Sequence, residues 1–166
     1  MRILGLDHLT ITTADIERSL AFYRDLLGLG VRTVGEVSGD AVERITGTAG
    51  ARLLGASLDL GGQSLELIEY VRPGEHHGWS TAAPGSGQLG LAVDDLEGAR
   101  RRLAKAGITI RSGPTEVVEA ATGSSARRMT VLDPDGVPVE LVERSRPPAP
   151  ASGRPVEARR RETPPA

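Results

Sequence analysis

Apolar and polar residues alternate along Leu6-Asp7-His8-Leu9-Thr10-Ile11, and a few positions later Asp15 opens a run with helical spacing. Period-two alternation followed by an acidic residue and a helical pattern predicts a strand running into a capped helix. The chain repeats this pattern over Gln88-Leu89-Gly90-Leu91-Ala92-Val93-Asp94-Asp95-Leu96, where His8 falls on Gln88, Asp15 on Asp95 and Ile16 on Leu96. Two structurally related halves are expected, with His8 and Gln88 projecting from equivalent faces of their strands.

In the first half, Ile16, Leu20, Tyr23 and Leu27 recur at helical spacing until Gly28 and Gly30, after which residues 31–37 read as a second strand. Residues 38–55 read as a partly helical insertion that could act as a lid. Residues 56–60 and 63–70 alternate around Gly61-Gly62, a hairpin signature, with Leu65 and Leu67 on one face and Glu66 on the other. The glycine- and proline-rich residues 72–87 read as a linker. In the second half, a helix capped by Asp94 or Asp95 runs through Leu96, Ala99, Leu103 and Ala106 to Gly107. A strand begins at residues 108–110, residues 113–125 read as a loop or strand edge, and residues 129–132 and 137–142 flank the turn Asp133-Pro134-Asp135-Gly136. The return strand Pro138-Val139-Glu140-Leu141-Val142-Glu143 matches Ser64-Leu65-Glu66-Leu67-Ile68-Glu69, placing Glu140 where Glu66 stands. The organisation expected is a first module over 1–72, a linker over 73–87, a second module over 88–145 and a Pro/Arg-rich disordered tail over 146–166.

Composition narrows the chemistry. The 166 residues are 39% hydrophobic but only 2% aromatic, so the core must rest on aliphatic side chains. With no cysteine, any bound metal must be held by nitrogen and oxygen. A net charge of −2 provides no general attraction to nucleic acid. The absence of a long apolar run or secretory signal makes a cytoplasmic protein without a membrane partner the expectation.

The repeat places His8, Glu66, Gln88 and Glu140 at equivalent positions of the first and last strands of the two halves. Imidazole, two carboxylates and an amide oxygen make a donor set suited to one divalent ion, with positions left for water or substrate. Taken singly, His8 reads as a hydrogen-bonded strand residue, and each glutamate as the polar face of a half-buried strand. Their matched recurrence favours a shared role. Asp15 and Asp95 read as helix caps, while His76 and His77 beside Trp79 read as exposed loop residues, with pocket lining as the alternative.

Asp7-His8-Leu9-Thr10-Ile11, Arg18-Ser19-Leu20-Ala21-Phe22-Tyr23-Arg24-Asp25-Leu26-Leu27-Gly28-Leu29, Leu65-Glu66-Leu67 and Asp133-Pro134-Asp135-Gly136-Val137-Pro138-Val139-Glu140-Leu141 together resemble the vicinal oxygen chelate superfamily. The resemblance covers about residues 1 to 145. It implies an α+β fold of two βαβββ modules whose curved mixed sheets form a cup-shaped cleft around a metal, the glyoxalase/bleomycin resistance/dioxygenase fold. The family's ligand positions fall on His8, Glu66, Gln88 and Glu140, and its base on Glu140 and Glu66. Gln88 stands where many members have histidine. The resulting set is more similar to glyoxalase I and the methylmalonyl-CoA epimerases than to the iron-dependent ring-cleaving members, which use two histidines and a glutamate. The resemblance implies a lyase or isomerase moving a proton next to a carbonyl through a metal-stabilised enediolate. Its cofactor would be one divalent ion (Ni, Co, Zn, Mn or Mg), its substrate a small molecule with adjacent oxygen functions, and its assembly a homodimer. Two alternatives remain: a metal-free antibiotic-binding protein, and a biosynthetic tailoring enzyme or dioxygenase.

Overall fold

The computed structural model describes residues 1–71, 86–118 and 125–144. The first half runs β1 (His8–Thr12), α1 (Ile16–Leu20), a π-helical continuation (Ala21–Leu26), β2 (Val31–Ser38), α2 (Asp40–Thr46), β3 (Arg52–Leu60) and β4 (Gln63–Tyr70). The second runs β5 (Leu89–Val93), α3 (Leu96–Lys105), β6 (Ile110–Val118), β7 (Ser125–Leu132) and β8 (Pro138–Arg144). Each half forms one four-stranded mixed sheet, ordered β1-β4-β3-β2 and β5-β8-β7-β6, with the first strand parallel to the last and the other pairs antiparallel. The architecture is α+β, as the repeat and the resemblance led us to expect.

Local chemistry repeats with the topology. The Asp15 carboxylate accepts from the Arg18 amide at 3.0 Å, and the Asp95 carboxylate accepts from the Gly98 amide at 2.8 Å. Each is an N-cap that satisfies a helix-end donor. A second matched pair was hidden in the sequence: Glu69 on β4 accepts from the Ile16 amide at 2.8 Å, and Glu143 on β8 accepts from the Leu96 amide at 3.3 Å. A carboxylate from the last strand of each half thus holds the first turn of its helix, where the helix dipole favours negative charge.

Two segments take a more definite form than the sequence expectation gave them. Residues 38–55 do contain a helix, but β3 already starts at Arg52, so the irregular part is short. Residues 113–118 belong to β6 despite Gly113 and Pro114, because β6 is an edge strand and its register shifts between Ser112 and Thr115. The expected linker and tail, with His76 and His77, lie almost entirely outside the described residues. No helix among the described residues is long and apolar enough to cross a membrane.

One buried cluster draws on both halves. Ile11, Leu20, Phe22, Tyr23, Leu58, Leu65 and Leu67 join Leu91, Leu96, Leu103, Met129, Val131, Val139 and Leu141. The π-helical turn brings Phe22 and Tyr23, successive in sequence, both into this core, their rings edge to face at 4.9 Å. At the seam, the Tyr23 hydroxyl donates to the buried Asp133 carboxylate at 2.9 Å, and Asp133 also accepts from the amides of Asp135 and Val137. Asp135 in turn accepts from Thr13 Oγ1, the Ala14 amide and Arg18 Nη2. The Asp133-Pro134-Asp135-Gly136 turn therefore does more than reverse the chain, since it plugs the second half into the first.

Burial holds the Asp133 carboxyl above the usual carboxylate range, against the opposing effect of its donors. A folded carboxyl with a raised pKa binds its proton more tightly than the unfolded chain does, so stability should fall as pH rises from the ordinary carboxylate value through the raised one. Tyr23→Phe removes one of the three donors that make the charge tolerable. We expect it to cost about 1.5–3 kcal/mol in urea unfolding at neutral pH, with a smaller loss at the acid end of that window.

Candidate metal and substrate site

On β1 and β4 the residues that point away from the core fall into cross-strand rows set by the register. Thr10 stands opposite Glu66, and His8 opposite Ser64. Leu65 and Leu67 are buried while Glu66 is half-buried, so the alternation that packs the sheet also sends Glu66 to the open face. His8 Nε2 lies 3.8 Å from Glu66 Oε2, and the two side chains are 45% and 38% exposed. Thr10 Oγ1 donates to the same carboxylate oxygen at 3.5 Å.

Asp7 orients the imidazole. Its carboxylate lies 2.7 Å from His8 Nδ1, and a neutral ring that donates Nδ1–H to Asp7 presents the lone pair of Nε2 on the side of Glu66. The hydrogen bond to Asp7, followed by the charge of Glu66, raises the His8 pKa above the usual imidazole value. Two donors each about 2.0–2.2 Å from a common ion can stand at most about 4.4 Å apart, so the 3.8 Å separation fits two ligands of a single divalent cation. This pair supplies one nitrogen and one oxygen donor.

The second half keeps the register but not the partners. Gly90 takes the place of Thr10 opposite Glu140, and Gln88 precedes β5 in an exposed position. Glu140 is only 17% exposed and accepts from Arg128 Nη1 at 3.2 Å. Arg128 sits on β7, and its Nε is buried with no hydrogen-bond partner. Among the described residues of one chain, no three His, Asp or Glu side chains come together as a metal-binding group. The structure thus brings His8 and Glu66 together, while Glu140 is engaged by a cation.

Sequence reasoning missed Asp7, Thr10 and Arg128. Asp7 and Thr10 belong to the repeated strand pattern itself, and Thr10 follows from alternation with His8. Arg128 was legible only once β7 was paired with β8.

Comparison with known proteins bears on this geometry. The family profile described as Glyoxalase/Bleomycin resistance protein/Dioxygenase superfamily matches residues 5–141. The chain belongs to that superfamily. Among solved structures it is similar to a glyoxalase family protein from Bacillus cereus, with TM-score 0.73 and 22% identity over 87% of this chain and 96% of that one. It is also similar to a glyoxalase family protein from Enterococcus faecalis, with TM-score 0.59 and 24% identity over 86% of this chain and 100% of that one. An integron cassette protein from the mobile metagenome of V. cholerae gives TM-score 0.55 and 27% identity over 86% and 97% of the two chains. No curated protein matches the sequence. Superfamily membership establishes a glyoxalase-type protein and accounts for the doubled sheet, and it leaves the reaction to the chemistry of the site.

Proposed function

We propose that this protein is a metal-dependent lyase or isomerase that moves a proton at a carbon next to a carbonyl on a small substrate with adjacent oxygen functions. The observation that carries the reading is the His8–Glu66 pair: an Asp7-oriented imidazole faces a carboxylate across 3.8 Å on an open sheet face. The matched register places Glu140 at the equivalent point of the other half. His8, Glu66, Gln88 and Glu140 would hold one divalent ion such as Ni, Co, Zn, Mn or Mg, which when bound withdraws charge from a carbonyl oxygen.

The residues divide the remaining work unequally. Among the described residues Glu66 is engaged by Thr10 and the His8 ring, so its carboxylate is open to take a proton from the substrate carbon. Glu140 accepts from Arg128 through Oε2, so its charge is partly neutralised and it is the weaker candidate for ligand or second acid-base group. Asp7 keeps the imidazole in the tautomer a metal needs.

The two sheets share a core on their helix-covered sides, so the faces bearing His8 and Glu66 or Glu140 lie outside it. This supports a homodimer in which Gln88 and Glu140 of one copy complete the His8–Glu66 pair of the other. All eight residues of β2, including Val31, Val34 and Val37, are exposed in the single chain and offer surface for that association. A second reading, a metal-free small-molecule (antibiotic) binding protein, is favoured by the Glu140–Arg128 ion pair, because a carboxylate already neutralised by guanidinium has less need of a metal.

Glu140→Gln separates the two readings. Proton exchange at the substrate carbon should fall about 10²- to 10⁴-fold if Glu140 is an acid-base group, whereas ligand affinity should be largely kept if the protein only sequesters. Elemental analysis should find one divalent ion per His8–Glu66 pair, lost in His8→Ala. A purified protein without that ion, whose function survives chelators, would overturn the metal reading. Mixing His8→Ala with Glu140→Ala chains under conditions of subunit exchange should restore roughly a quarter of the sites if they form across a two-fold dimer. No restoration would place all the ligands in one chain.

A further inference from the structure

The register continues the polar row across the first sheet as Thr10, Glu66, Ser57 and Thr33. Two residues along each strand, the next row runs Thr12, Ile68, Gly55 and Gly35, and the one beyond it Tyr70, Leu53 and Val37. Two glycines thus stand directly opposite each other, between the row that contains the candidate base and an apolar row. Neither has the positive φ that reserves a position for glycine. A Cβ on Gly35 would meet nothing within 4 Å, and one on Gly55 would meet only backbone oxygens at 3.9 and 4.0 Å, ordinary contact distances. Glycine inside a strand weakens it. Here neither backbone conformation nor crowding by the chain's own atoms requires it.

At Gly55 the missing side chain leaves space. A pocket of about 180 Å³ is lined by Gly55, Leu53, Val37, Ile68 and Ser57, with Glu66 in its wall. The same place in the second sheet is filled, because Arg128 stands opposite Val142 and Thr115 as Gly55 stands opposite Ile68 and Gly35. The gap is therefore particular to the first half and lies beside its carboxylate. An apolar cavity of about 150 Å³ accepts a benzene ring, so the trough has room for about six non-hydrogen atoms.

We propose that the trough over Gly55 is the subsite for a short aliphatic arm of the substrate, and that Gly55 sets how long the arm can be. The compound that fits is a small carbonyl compound, its reacting carbon near Glu66 and an alkyl chain of about four carbons lying over Gly55 against Leu53, Val37 and Ile68. This rests on the His8–Glu66 face being the reacting side.

The test uses the full chain in Mg²⁺-containing buffer, labelled at its Ile, Leu and Val methyl groups. It is titrated by NMR with straight-chain 2-oxo acids: pyruvate, 2-oxobutanoate, 2-oxopentanoate, 2-oxohexanoate and 2-oxooctanoate. Affinity should rise by about fourfold for each buried methylene as far as 2-oxohexanoate and then level off, with shifts at the methyls of Leu53, Val37 and Ile68. In Gly55→Val the rise should disappear, and in Gly55→Ala it should stop at a shorter acid. Equal affinity for all five acids, binding of none, or shifts elsewhere on the molecule would each overturn the subsite. So would a length dependence that Gly55→Val leaves intact. Deuterium uptake at C3 of the same acids in D₂O tests the chemistry separately. Length-dependent binding without uptake sinks the proton-transfer reading and keeps the subsite, whereas uptake without length dependence does the reverse.

Discussion

The seam between the halves depends on carboxylates taken out of water. Asp133 is 5% exposed and is kept tolerable by three donors, one of them the hydroxyl of Tyr23 from the other half. Asp135 reaches Thr13, Ala14 and Arg18 from the same turn. Buried polar groups fix geometry more narrowly than apolar contact does, because each donor has one direction in which it is satisfied. A core of leucines, valines and isoleucines with few aromatic side chains could pack in several ways, and the turn at residues 133–136 selects one. The relative setting of the two sheets, and with it the placement of both candidate half-sites, follows from this lock.

Within that frame the halves have the same skeleton and different surfaces. The capping aspartates, the glutamates that hold the helix starts and the strand order all recur. The open faces diverge: a histidine beside a half-exposed glutamate and a glycine trough in one half, an arginine locked to a less exposed glutamate in the other. Backbone geometry and helix capping tolerate little variation, so they keep the repeat legible. Side chains on the open face are free of packing constraints and can take on separate tasks. The proposed division between Glu66 as the accessible acceptor and Glu140 as the restrained partner is a consequence of that freedom.

The fold was largely legible in the sequence. Alternation around Leu9 and Ile11, the Asp15 and Asp95 caps and the Gly61-Gly62 hairpin each carry a local signal, since strand period, capping and positive φ are decided within a few residues. Edge strand β6 was harder to see, because Gly113 and Pro114 read as breakers until their place at the sheet margin is known. The candidate site was half legible. His8 and Glu66 announced themselves through the repeat, and so did Glu140, but its bond to Arg128 did not, since nothing in residues 125–132 marks which side chain a neighbouring strand will meet.

Sequence alone determined the doubled βαβββ order, the polar markers on equivalent strands and the absence of thiolate chemistry, all of which rest on residue type and short-range periodicity. Tertiary structure decided the rest: that Asp133 and Asp135 bind the halves together, that an imidazole held by Asp7 faces Glu66, and that Gly55 leaves a trough beside that carboxylate. The first depends on how the halves pack and the last on strand register, and both are set by which faces are buried together rather than by any single stretch of chain.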